Sequence, residues 1–407
     1  MLAILTTHPI QYQVPIWQAL ARDGSVPFEV WYLTRYGTEP SADRQFGKTF
    51  AWDLDIMSGY PYRFIDSAPH APPDRFWACR MRERLRERLR SSLVKALWIQ
   101  GWQTAAYWQA AREARAAGVE LWLRGESNDL SPVSVWKRPA KKLLMDWFFN
   151  SVDRFLYIGT ANKRLYQSWG VPADRLYPAP YAIDNARFAV QAQALRDKRL
   201  VLRRKWGIAD AAFCVLFCGK FIAKKRPMDL LRAAELLRTD GRLDNIHLLF
   251  VGSGEAGPEL RAASNVVFDA EAVGNPAPHE NGASRPVASF AGFLNQTEIS
   301  RAYVAADCLV LPSDHGETWG LVVNEAMASG TPAIASKSCG CTEDMMPADG
   351  ICRTFEVGNI RQIADAIHLL HATPPSEASL TDRVAKNDFS VTIQTVREVY
   401  GLAASRD

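Results

Sequence analysis

Several things are missing from this chain of 407 residues. No stretch approaches the roughly 20 apolar residues that a membrane-spanning helix needs. The opening MLAILTTHPIQYQ has no basic leader, no long apolar core and no cleavage site, so no signal peptide is expected. A disulfide frame is lacking too. The seven cysteines, Cys79, Cys214, Cys218, Cys308, Cys339, Cys341 and Cys352, are odd in number and several sit in apolar runs. They read as reduced thiols in a cytoplasmic protein. Neither Cys214/Cys218 nor Cys339/Cys341 has zinc spacing or paired histidines, so no metal is expected. The net charge of +4 is too mild to indicate a nucleic-acid partner. No G-x-G-x-x-G follows the first apolar run, which argues against a nicotinamide dehydrogenase.

What is present is an alternation of short apolar runs with helical patterns. LAILTT (2–7), FEVWYLT (28–34), ALWIQ (96–100), ELWLRG (120–125) and RFLYIG (154–159) read as buried strands. Helical stretches such as 104–118 lie between them. A polar, basic segment near 185–200 interrupts the series. It resumes with FCVLFCG (213–219), IHLLFVGSG (246–254), VASFAG (287–292), DCLVLPS (307–313) and TPAIAS (331–336). Such alternation implies parallel sheets covered on both faces, hence an α/β fold of two Rossmann-like halves. Residues 264–286, rich in Gly, Pro, Asn and Ser, read as a surface insertion.

Ligands of doubly wound sheets sit at the carboxyl ends of strands. In PSDHGETWGLVVNEAMASGTP (312–332) a strand ends near Pro312 and a helix starts around Trp319 to Leu321. Its first amides and positive dipole end suit an anion, and Gly320 permits close approach. Glu317 precedes the helix and Glu325 lies one to two turns inside it. A carboxylate accepts hydrogen bonds from vicinal hydroxyls, so Glu325 suits a ribose, Glu317 a hexose, and the helix start a diphosphate. The ordinary alternative makes Glu317 a helix cap or first-turn acid and Glu325 a solvated residue. In FCGKFIAKKRPMDLL (217–231) a strand ends at Gly219, and Lys220 and Lys225 follow in the next loop. Two cations there suit a diphosphate leaving group; the alternative is a solvated basic loop.

With both stretches in view, the chain resembles the family 4 glycosyltransferases, whose architecture is GT-B. Glu317 and Glu325 match that family's E-x7-E signature. Gly219, Lys220 and Lys225 match its Gly-Arg…Lys loop, with Lys220 in place of Arg. YAIDNARF (181–188) resembles its interdomain element, with Ala182 in place of Gly, and DFSVTIQTVREVYG (388–401) its last helix. The likeness covers most of 154–401 and is diffuse before that.

The resemblance implies two Rossmann-like domains facing each other across a cleft, with a C-terminal helix crossing back to the first. The expected division is an acceptor domain at 1–188, a donor domain at 189–385 and the helix at 386–407. It implies a retaining, metal-independent enzyme with a nucleotide-sugar donor and a glycan or lipid-linked acceptor, working in cell-surface polysaccharide or glycoconjugate synthesis. Glu325 would hold the ribose, Glu317 the donor sugar, and Lys220, Lys225 and the backbone of Trp319, Gly320 and Leu321 the diphosphate. No cofactor beyond the co-substrate is implied.

In the first half the resemblance marks two further strand ends. His8 and Gln11, in TTHPIQYQVP (6–15), face the cleft, where the family often has a Gly-Gly pair that this chain lacks. In LWLRGESND (121–129), Glu126 or Arg124 stands where the family often has a histidine. Two other readings share the pattern: a nucleotide-sugar epimerase of GT-B fold, and a nucleotide-sugar-binding protein without catalysis.

Two basic amphipathic stretches bear on partners. In 79–98, Met81, Leu85, Leu89 and Leu93 recur at helical spacing among six arginines. An ordinary domain helix is the favoured reading there. Residues 135–149, VWKRPAKKLLMDWFF, are basic and aromatic, and suit an anionic membrane surface equally well. A peripheral position on the inner face of the membrane is therefore an added expectation.

Overall fold

The computed structural model describes residues 1–38, 41–43, 48–50, 52–65, 75–81, 84–130, 138–272 and 285–404. The chain divides into two compact units. The first comprises Met1–Ser41, Phe50–Ala182 and Asn387–Asp407, and the second Ala42–Thr49 and Ile183–Lys386.

Sixteen strands run along the described residues: β1 (Leu2–Thr6), β2 (Phe28–Tyr32), β3 (Ser41–Asp43), β4 (Lys48–Phe50), β5 (Tyr62–Phe64), β6 (Ala96–Ile99), β7 (Glu120–Leu123), β8 (Arg154–Tyr157), β9 (Leu176–Pro178), β10 (Phe213–Cys218), β11 (Ile246–Val251), β12 (Asn265–Asp269), β13 (Val287–Gly292), β14 (Cys308–Leu311), β15 (Ala333–Ser336) and β16 (Arg353–Phe355). β3 and β4 pair with each other. The rest form two seven-stranded sheets.

The first unit's sheet has the order β5-β2-β1-β6-β7-β8-β9, and its paired strands run parallel. Strand side chains alternate between faces, and here both faces are buried. Ala3, Leu5, Leu97 and Ile99 join one core, while Leu2, Ile4, Ala96 and Trp98 join another. That is why the strands read as unbroken apolar runs. The last helix, Phe389–Ala404, belongs to this unit. Its Val396 and Val399 enter the second of those cores, and Thr395 Oγ1 donates to Pro178 O at 2.6 Å.

The second unit's sheet has the order β12-β13-β11-β10-β14-β15-β16, again with parallel pairing. Helices Pro227–Thr239 and Ile360–Ala372 contribute Leu230, Leu237, Ile363 and Ile367 to the core on one of its faces. In each seven-stranded sheet its first strand in chain order is the point where that order reverses: β2 lies on one side of β1 and β6 on the other, as β11 and β14 flank β10. These switch points are where loops splay apart and ligands enter at the carboxyl ends.

Three expectations need correction. Residues 264–286 are not wholly an insertion, because 265–269 form the edge strand β12 on β13. An edge strand has one paired side and only half-buried side chains, so its apolar signal is weak. Residues 273–284 lie outside the described residues. The basic segment near 185–200 is helical: Asn185–Leu195 is capped by the Asp184 side chain, which accepts from Arg187 N at 2.9 Å, and Arg199–Lys205 follows. The division of the units falls before it, at Ala182/Ile183. The helix expected over 79–98 is only Leu85–Ser91. Leu85 and Leu89 are buried with Met81, but Leu93 has a positive φ of 49° and is 80% exposed. A strand must begin at Ala96, so the chain leaves the helix early.

Candidate functional site

In the second unit the relevant loops follow β10 and β14, which are hydrogen-bonded neighbours. Parallel pairing puts both carboxyl ends on one side of the sheet. After β10, Gly219 has φ 149° and donates its N–H to Val251 O at 3.0 Å. Lys220 is half-buried, and the turn Ala223–Lys225 leads into helix Pro227–Thr239. After β14 the chain runs through Pro312–Trp319 to Gly320, whose φ of 103° precedes helix Leu321–Ala328. A Cβ on Gly320 would meet Leu311 Cδ2 at 2.6 Å. This position therefore requires glycine both for its backbone angle and for space.

The two loops are joined. Asp314 N donates to Lys224 O at 2.9 Å. The Lys225 ammonium forms an ion pair with the Glu317 carboxylate, which also accepts from Ser313 Oγ at 3.0 Å. Both members of the pair are mostly shielded from solvent, at 19% and 12% side-chain exposure. Glu317 is therefore neither a helix cap nor a solvated acid; the residue at the cap position is Gly320, with no side-chain cap. The bound partner also removes Lys225 from the class of solvated loop lysines.

Glu325 is 2% exposed, on the buried side of helix Leu321–Ala328. Its Oε2 accepts from Tyr303 Oη at 2.6 Å, and Tyr303 itself is wholly buried. A short hydrogen bond to a carboxylate is among the stronger contacts in a protein. Trp319 is buried and its Nε1 donates to Asn324 Oδ1 at 2.9 Å, which ties the helix start to the residue beside Glu325. A further brace holds the same turn. Cys341 N donates to Trp319 O at 3.1 Å, and a Cβ on Gly340 would come within 2.0 Å of Thr318 O. Cys218, at the end of β10, lies beside Glu325 and Tyr303, and burial pushes its thiol up to about 12. Among the described residues no three His, Cys, Asp or Glu side chains gather as a metal site.

In the first unit the loops follow β1, β6 and β7. His8 is half-buried; its Nδ1 lies 2.9 Å from Thr7 Oγ1 and its ring meets Tyr36 edge-on. Burial pushes His8 down to about 4, so it is neutral near pH 7. Gln11 is buried. Arg124 directly follows β7, is 2% exposed, and lies 5.0 Å over the Tyr181 ring. Glu126 is the more exposed member of this group, at 39%, with its Oε1 4.0 Å from Arg124 Nη1. Gly125 between them is packed so closely that a Cβ would meet Trp102 at 2.2 Å.

The sequence does not mark Tyr303, Ser313 or Asn324. Tyr303 reaches Glu325 from a separate helix and reads there as one more apolar position, while Ser313 and Asn324 bond Glu317 and Trp319 within the same stretch of chain. The strand-end rule that singles out Arg124 also reaches Gln100, the polar residue just after β6.

Two units, each built on a seven-stranded parallel sheet, match the GT-B architecture of solved glycosyltransferases. The family profile described as "Glycosyl transferases group 1" matches residues 212–373, within the second unit. Among curated proteins, the D-inositol 3-phosphate glycosyltransferase of Actinosynnema mirum is 28% identical over 255 residues, covering 59% of this chain and 57% of the relative. That of Kineococcus radiotolerans is 28% identical over 268 residues, covering 61% and 57%. The match thus spans just over half the length of these two relatives. Among solved structures, a glycosyltransferase from Rickettsia africae superposes with a TM-score of 0.71 at 12% identity, covering 100% of this chain and 99% of that one. Anabaena HepE in complex with UDP and glucose gives 0.64 at 14% identity, covering 98% and 99%. At these identities the likeness is one of fold.

Proposed function

We propose that the protein is a retaining, metal-independent hexosyltransferase of family 4. It moves a sugar from a nucleoside-diphosphate donor to a glycan or lipid-linked acceptor. The observation that carries this reading is the Lys225–Glu317 pair at the switch point of the second unit, one loop away from the buried, hydrogen-bonded Glu325.

Each group then has a role. Glu325 accepts the ribose hydroxyls, held in orientation by Tyr303. The diphosphate meets Lys220, Lys225 and the amides of Trp319, Gly320 and Leu321 at the helix start. When the diphosphate arrives, Lys225 exchanges its carboxylate partner for phosphate, and Glu317 turns to the hydroxyls of the donor sugar. As the C1–O bond breaks, its electron pair stays on the diphosphate. Charge grows there, so the lysines stabilise the transition state more than the ground state. An acceptor hydroxyl forms the new bond to C1 from the same face and loses its proton to the departing phosphate oxygen. Glu126 serves in place of the histidine that the resembled family places after the corresponding strand. The first unit, with His8, Gln11 and Arg124, takes the acceptor.

The acceptor is membrane-associated in this reading. Helix Arg138–Phe149 exposes Leu143, Leu144 and Trp147, at 76%, 55% and 52%, just after its basic first turn. Exposed apolar side chains that follow a basic stretch of sequence suit an anionic lipid surface. Among the described residues no helix is long and apolar enough to cross a membrane. Because HepE was solved with UDP, UDP-sugars are the first donors to test. Mass spectrometry of wild-type protein with UDP-hexoses and lipid extracts is expected to show UDP release with a new glycosylated product. Epimerised donor formed without acceptor would support the epimerase reading instead.

A further inference from the structure

We propose that the first unit carries an oxyanion site built on Arg124, which takes the phosphate or carboxylate group of the acceptor. This rests on the reading of the first unit as the acceptor side.

Arginine binds a planar or tetrahedral oxyanion best along one edge, where Nε and Nη2 point the same way. This protein uses that edge repeatedly. Arg154 turns it to Glu120, Arg164 to Asp129, Arg204 to Asp210 and Arg261 to Asp269. Arg124 is the exception that matters. It is 2% exposed, yet its Nε and Nη2 have no hydrogen-bond partner among the described residues. Its remaining nitrogen, Nη1, lies 4.0 Å from Glu126, beyond hydrogen-bond range. The ring of Tyr181 beneath it neutralises nothing. A buried cation with its binding edge unmade is costly, and such a group calls for an anionic partner.

The surroundings extend the site. Gln100 follows β6 and Gln11 follows β1, strands that lie side by side with β7. Both side chains are buried. The Gln100 amide has neither its nitrogen nor its oxygen bonded, and Gln11 Oε1 is also without a partner among the described residues. Amides offer both donors and acceptors, which is what the hydroxyls of a sugar or polyol require. The segments that follow three neighbouring strands thus carry polar groups left unsatisfied among the described residues. The shared chemistry is a hydroxylated molecule bearing one oxyanion.

Inorganic phosphate and acetate are the probes, titrated against the full-length protein by thermal shift. Phosphate also suits Lys220 and Lys225, so the test is made in the Lys225→Ala background. There, one or both anions are expected to raise the unfolding temperature, and the tighter binder tells phosphate from carboxylate. Adding Arg124→Gln should weaken the apparent Kd at least about tenfold, since hydrogen bonds to charged groups are lost. Arg124→Lys keeps the charge without the two-nitrogen edge and should fall between. Glu126→Gln removes a competing carboxylate and should tighten binding. The proposal is overturned if neither anion stabilises the Lys225→Ala protein. It is equally overturned if Arg124→Gln, or Arg124→Lys should the first variant fail to fold, leaves the Kd within twofold. A nucleoside diphosphate should stabilise Arg124→Gln as it does the wild type. Failure of every nucleotide on the wild type would count against the donor reading and leave the Arg124 comparison readable.

Discussion

Replacing Tyr303 by phenylalanine removes one hydroxyl and nothing else. That oxygen donates to Glu325 Oε2 at 2.6 Å, between a wholly buried ring and a carboxylate 2% exposed. A hydrogen bond to a charged group is worth about 1.5–3 kcal/mol, and phenylalanine leaves no cavity to add to it. In a unit of this size each kcal/mol moves the midpoint by about 2–4 °C, so a fall of roughly 3–12 °C is expected by calorimetry. Glu325→Gln lowers the value of the same bond by making it neutral to neutral. A double-mutant cycle with Tyr303→Phe should therefore give a coupling of about 1 kcal/mol. Nucleotide affinity should drop about tenfold in Tyr303→Phe, because the ribose-binding carboxylate loses its orientation. Additivity of the two substitutions within about 0.3 kcal/mol, with an unchanged midpoint, would refute the coupling.

Two further outcomes follow from buried titratable groups. His247 is 3% exposed; its Nε2 lies 2.8 Å from Ser289 Oγ, whose own proton goes to Trp206 O. Burial, with Arg203 nearby, pushes His247 down to about 4. The unfolded chain binds this proton first, so stability is present above pH 6.5 and is lost as pH falls towards 4. The loss is on the order of 3 kcal/mol. Urea midpoints of His247→Gln should show a flatter dependence over that window than wild type, and parallel curves would contradict it. Burial likewise pushes Cys79 and Cys352 up to about 11 and Cys214 to about 12, and holds Cys308, Cys339 and Cys341 well above the usual thiol range. The native protein at pH 8 should show no fast-reacting thiol with a disulfide reagent, and seven after denaturation; a native burst would count against the burial.

Much of the architecture is legible in the sequence because parallel strands are buried on both faces. Runs such as LAILT and FCVLFC therefore contain little but apolar residues. β12 escapes because an edge strand is half-buried, and the short helix at Leu85–Ser91 is overestimated because the stripe of Met81, Leu85, Leu89 and Leu93 continues past the point where the chain turns into β6. In the site, loops that follow strands are legible from spacing alone, which places Lys225 and Glu317 on candidate turns. That the two form an ion pair is not legible, since it depends on β10 and β14 being neighbours. Tyr303 is hidden for a similar reason: it sits in a helix 22 residues before Glu325, among the apolar residues Ala302, Val304 and Ala305.

The second unit is expected to grip a nucleoside diphosphate through Lys225 and Glu325. Calorimetric titration of UDP, and then the other nucleoside diphosphates, into wild type, Lys225→Ala and Glu325→Ala measures this directly. The predicted result is binding to wild type by at least one of them, weakened about tenfold or more in each variant. Equal affinity in all three proteins, or no binding to any, would contradict it.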